Sequence, residues 1–157
     1  MDYKKKVFIG LSITFAVLAI LTTILFSPPA KCLRNQRAFI FSMSELNRGS
    51  VIRLSESLDF EWDYLYSFLP YTSKEDIYET IGYRDIRIHE TVSEGIVQVI
   101  LVKDGKTVCN ISGYPDDLGF YFDFGIIDKY IKLDNKSKFI VQKDKKVVTL
   151  KLLEVSI

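Results

Sequence analysis

The chain has 157 residues, with 21 Lys and Arg against 20 Asp and Glu, one histidine and two cysteines. A formal net charge of +1 gives it no electrostatic reason to seek nucleic acid. The single imidazole, His89, excludes any mononuclear metal site that needs two or three of them.

Residues 7–26 (VFIGLSITFAVLAILTTILF) contain no charged side chain. As a helix they cover about 30 Å, the thickness of a bilayer's hydrocarbon core. The run is longer than the apolar region of a cleavable signal peptide, and Pro28-Pro29-Ala30 places proline where a cleavage site needs a small residue. Lys31 before Cys32 breaks the lipoprotein pattern. The expectation is an uncleaved signal-anchor: residues 1–6 a cytoplasmic tail, 7–26 a single-pass transmembrane helix in contact with lipid, and 27–37 a juxtamembrane linker. Pro28 and Pro29 are expected to end the helix. Three cations lie close on each side, Lys4, Lys5 and Lys6 against Lys31, Arg34 and Arg37. The tighter tail cluster orients the N-terminus inside and the domain outside the cell membrane.

Residues 38–157 read as one globular domain. Residues 38–43 fit a strand or part of a helix, residues 47–50 are turn chemistry, and 51–54 form a short strand. From Phe60 to Phe68, aromatic side chains at 60, 62, 64, 66 and 68 alternate with mostly polar ones. A period of two puts all five on one face of a strand, and rings of that size form core. Pro70 stops that strand. Thr72 and Glu75 have capping-box spacing, Ile77, Tyr78 and Ile81 make an apolar stripe, and Gly82 supplies the C-cap of a short helix. Ile86-Arg87-Ile88 alternates like a strand. Asp104-Gly105 signals a two-residue hairpin after the β-prone residues 96–102. Residues 113–117 read as a loop, 120–124 as an aromatic strand, and 138–142 with 147–153 as a second hairpin. The fold class is α+β: the N-terminal transmembrane helix, then one antiparallel sheet of about five or six strands with one or two short helices.

The segment Trp62-Asp63-x-x-Tyr66-x-Phe68-x-Pro70-Tyr71-Thr72, followed by the capped helix and Gly82, resembles a pattern in small, uncharacterised bacterial membrane-anchored proteins. The resemblance implies a bacterial cell-surface setting and carries no activity with it. In the residues' own terms the aromatics belong to the core, Pro70 and Thr72 to the strand-to-helix turn, and Asp63 accepts from backbone donors near that turn.

Catalytic signatures are absent from the sequence: there is no P-loop, Gly-rich dinucleotide turn, G-x-S-x-G elbow or HExxH. No catalytic, cofactor or metal residue is expected. Asp116, Asp117 and Asp123 miss the spacing of a calcium loop. Cys32 and Cys109 either form a disulfide or stay apart, with Cys109 packed as a small hydrophobe and Cys32 open to acylation on a cytoplasmic face. Tyr114, Asp116, Asp117, Phe120 and Tyr121, in YPDDLGFY, form the candidate partner-binding surface. Lys129, Lys132, Lys136, Lys138, Lys143, Lys145, Lys146 and Lys151 read as solubilising charge or as a contact for anionic headgroups. The functional expectation is a membrane-tethered, non-enzymatic extracytoplasmic interaction module. An immunity-like inhibitor, an accessory subunit of a membrane complex and an envelope hydrolase are the alternatives.

Overall fold

The computed structural model describes residues 3–144 and 146–154. The chain divides into two compact units between Lys31 and Cys32.

In the first unit, helix α1 (Tyr3–Leu25) is continuous, and each residue from Leu11 to Phe26 is exposed. The hydroxyls of Thr22 and Thr23 donate back to the carbonyls of Ala19 and Ile20 at 2.8 and 2.7 Å, so neither needs an outside acceptor. Among the described residues no single helix is long and apolar enough to cross a membrane. Leu11–Leu25 and Pro28–Ser44 meet that test together, as a broken pair, by length and composition only.

Residues 27–37 are not an extended linker. Pro28 and Pro29 open helix α2 (Pro28–Ser44), occupying the first turn, where a missing N–H costs no intrahelical bond. Cys32, Asn35, Phe39 and Met43 recur at helical spacing and are buried. Phe39 is fully buried and packs on Phe120 and Phe122 at ring-centroid distances of 5.4 and 6.4 Å.

The domain has two four-stranded sheets, where one sheet of five or six strands was expected. The first has the order β1 (Val51–Arg53), β7 (Lys138–Asp144), β8 (Val147–Glu154), β5 (Phe120–Asp123), and its β5–β8 pair is parallel. The second has the order β4 (Lys106–Gly113), β3 (Val97–Lys103), β2 (Tyr64–Phe68), β6 (Tyr130–Asp134), all antiparallel. Three short helices complete the domain: α3 (Leu54–Ser57), α4 (Lys74–Ile81) and α5 (Pro115–Leu118). The α+β class therefore holds, with more strands and helices than the sequence suggested.

Strand alternation divides the second sheet between two cores. Leu65, Val99, Leu101, Cys109, Ile111 and Leu133 join Phe120, Phe122, Phe139, Val141, Val148 and Leu150 of the first sheet in a large core, closed by Phe39, Met43 and Trp62. Tyr66, Phe68, Ile100 and Val102 form a smaller core with Ile77 of α4 and Ile88. The aromatic run at 60–68 is thus split. Only residues 64–68 are strand; Tyr66 and Phe68 face the small core, while Trp62 and Phe60, ahead of the strand, serve the large one.

Ile86-Arg87-Ile88 is not a strand. This segment rests on the second sheet through side-chain amides: Gln98 Nε2 donates to the His89 carbonyl at 2.6 Å and Asn110 Nδ2 to the Arg87 carbonyl at 2.8 Å. Ile88 is fully buried and Ile86 is exposed. The hairpin at Asp104-Gly105 forms as expected, both residues having positive φ (49° and 67°), the conformation of a type I′ turn.

Candidate functional site

A concavity of about 600 Å³ lies where β2 hands over to α4. Strand pairing ends with the Leu69 N–H on the Lys129 carbonyl at 3.1 Å, and Pro70 prevents continuation. Tyr71 then adopts φ 66°, the left-handed region that costs a side-chain-bearing residue about 1 kcal/mol or more. Its N–H reaches the Thr91 carbonyl at 2.7 Å, which holds the turn, and its ring is 65% exposed. The helix cap falls one residue later than the sequence indicated. Ser73, not Thr72, is the N-cap, accepting from the Asp76 N–H at 3.1 Å, while Thr72 Oγ1 donates to the Leu69 carbonyl at 2.7 Å. Gly82 closes the helix in the left-handed conformation, φ 87°.

Aromatic rings and carboxylates meet in this cleft. Phe68, Tyr71 and Tyr130 supply the rings, with Phe68 and Tyr130 at 5.8 Å; Asp76, Glu79 and Asp128 stand against the single cation Lys129. Such a lining can stack planar groups and accept hydrogen bonds. Phe68, Pro70, Tyr71 and Thr72 are the end of the segment 62–72, which builds both the small core and the wall of the cleft.

Two other polar clusters are consumed by structure. Asp63 accepts from the Asp104 N–H and from Lys103 Nζ, both at 2.9 Å, and these bonds hold its carboxyl below the usual range. Asp63 thus caps a turn through a backbone donor, but the turn is the 104–105 hairpin and not the one at Pro70. Asp85, 9% exposed, pairs with Arg87 at 2.5 Å. Burial raises the Asp85 pKa, but the hydrogen bonds from Arg87 outweigh it and the net shift is downward. Tyr78 donates to the Asp85 carbonyl at 2.8 Å, and the Tyr83 hydroxyl lies 2.8 Å from Thr107 Oγ1.

The sequence-derived surface at 114–121 is only partly a surface. Tyr114 and Tyr121 are 47% and 44% exposed, and Asp116 and Asp117 are exposed on α5, a helical turn where a plain loop was expected. Phe120 is fully buried in the large core, the alternate residue of the edge strand β5. Cys32 and Cys109 are unbridged and buried, and burial pushes both thiols up from their ordinary value. His89 is exposed. Among the described residues no group of three or more His, Cys, Asp or Glu side chains could hold a metal ion.

The cleft went unnoticed in the sequence because Asp128, Lys129 and Tyr130 reach Tyr71 only through the β2–β6 pairing. The Pro-Tyr-Thr turn was its one local signal. Comparison with protein-family models, curated proteins and solved structures finds no match for this chain.

Proposed function

We propose that this chain is a single-pass, membrane-tethered, non-enzymatic interaction module. Its domain faces the outside of the cell and meets a protein partner at the Tyr71 cleft. The observation that carries the reading is α1: from Leu11 to Leu25 it is uncharged and exposed all round, a surface that water disfavours and hydrocarbon accepts. The cleft supports the second half of the reading. An exposed tyrosine held at positive φ beside aromatic and carboxylate groups is a costly arrangement for a surface turn that only connects two elements.

The test has two parts. Full-length chain expressed in bacteria is expected in the membrane pellet after alkaline carbonate washing, with the domain digested when intact cells are treated with protease. Recovery from the aqueous fraction overturns the tether, and protection of the domain overturns the orientation. A photocrosslinking residue at Tyr71 is expected to capture a discrete membrane or envelope protein, and one at Tyr121 to capture less of it. Capture at Tyr121 alone moves the contact surface to the segment 114–121.

A further inference from the structure

A second concavity, of about 440 Å³, uses the face of α2 that the core leaves free. Arg37, Ile40 and Phe41 recur there at helical spacing, away from the buried positions 32, 35, 39 and 43. Leu118 of α5 and Lys143 and Lys146 of the β7–β8 hairpin complete the wall. Among the described residues three cations line the cavity and no Asp or Glu does. Phe41 is 67% exposed and Ile40 37%. Lys143 Nζ has the Ser44 carbonyl at 3.5 Å.

Like charges gathered around one apolar hollow repel each other, and an anion seated among them relieves that repulsion. The occupant must bring negative charge for Arg37, Lys143 and Lys146, and apolar surface for Ile40, Phe41 and Leu118. The headgroup boundary of an anionic phospholipid has that combination. Chain connectivity favours the same source. Only Phe26 and Ser27 separate α2 from α1, and α2 carries Lys31, Arg34 and Arg37 with no carboxylate.

We infer that this cavity is a binding site for the headgroup of an anionic phospholipid, its phosphate between Arg37, Lys143 and Lys146 and its first acyl carbons against Ile40 and Phe41. The inference rests on the reading of α1 as a membrane anchor. It adds a second, charge-selective contact with lipid at a site separate from the Tyr71 cleft.

Full-length chain is inserted into bilayers of equal phosphatidylglycerol and phosphatidylcholine, extracted in a neutral detergent, and its retained lipids are counted by mass spectrometry. Phosphatidylglycerol is expected in excess, each of Arg37→Gln, Lys143→Gln and Lys146→Gln lowering its retention about fivefold, and Arg37→Lys restoring most of the loss. Circular dichroism checks that the variants stay folded. In the same detergent, added phosphatidylglycerol is expected to slow amide exchange in residues 37–44 and 143–148. Equal retention of the two lipids, or retention indifferent to the three substitutions, overturns the site. If inorganic phosphate reproduces the protection and lipid adds nothing, the ligand is free phosphate and the lipid assignment falls. A chain that stays in the bilayer but ignores phosphatidylglycerol defeats this inference alone. One that binds phosphatidylglycerol in detergent yet leaves the bilayer on carbonate washing defeats the anchor alone.

Discussion

Asp85 illustrates how a charged side chain is kept inside this domain. Its carboxylate is nearly enclosed, and Arg87 donates to it from Nε at 2.8 Å and from Nη2 at 2.5 Å. Asp85→Asn removes the charge-assisted half of that pair and is expected to cost about 2 kcal/mol at pH 7, read as a lower urea midpoint. The folded-state pKa of Asp85 lies below its unfolded value of about 3.9, so the stability it supplies is complete above that pH and vanishes as pH falls through the folded value. The gap between wild type and Asp85→Asn is therefore expected to hold from pH 7 to pH 5 and to close below about pH 4. The two thiols make a second residue-scale case. Both are buried and held in the neutral form, so labelling with a maleimide at pH 7.5 is expected to be slow in the native chain and complete in denaturant. Fast labelling of Cys32 would show that α2 leaves its seat. The burial of Cys109 was legible in its apolar strand, whereas the Asp85–Arg87 pair was not. Arg87 falls in Ile86-Arg87-Ile88, which alternates like a strand, and its pairing with Asp85 depends on that segment lying across the sheet as a loop.

At the scale of elements, α2 protects a sheet edge. Strand β4 is the outer strand of its sheet, and edge carbonyls left bare invite pairing with another chain. Asn35 Nδ2 donates to the Val108 carbonyl at 2.9 Å, and Gln36 Nε2 donates to the Asn110 carbonyl. Replacing both by Ala is expected to destabilise the domain by about 2 kcal/mol. It should also raise amide exchange along β4 and promote concentration-dependent association, seen by light scattering. Elements with a local cause were readable from sequence. The Asp104-Gly105 turn, the 138–153 hairpin and the Gly82 cap each depend on a few neighbouring residues. The misread elements depend on distant ones. Residues 27–37 read as a linker because proline stops a helix from within, yet the first helical turn accommodates it equally well. Strand β6 has weak alternation and was missed; its pairing with β2 makes it a strand. The five-ring stripe failed because the residues before Tyr64 leave the strand and turn toward the other core.

For the molecule as a whole, the two cores share the second sheet, whose faces alternate between them residue by residue. Ile77→Ala empties the small core and is expected to cost about 3 kcal/mol. Trp62 lies in the large core, and its fluorescence should move to the same lower denaturant midpoint in one transition. Two separated transitions would show that the helix-covered core melts by itself. The strand order of the first sheet carries one more consequence. β5 has β8 as its only neighbour, and β1 has only β7. When the chain folds from its N-terminal end, β2, β3, β4 and β6 can pair early, whereas β5 waits without any mate until residues 147–154 follow. Phe120 and Phe122 then have Phe39 to pack on but not yet Val148 and Leu150, a window in which apolar surface of the unfinished domain is exposed to aggregation.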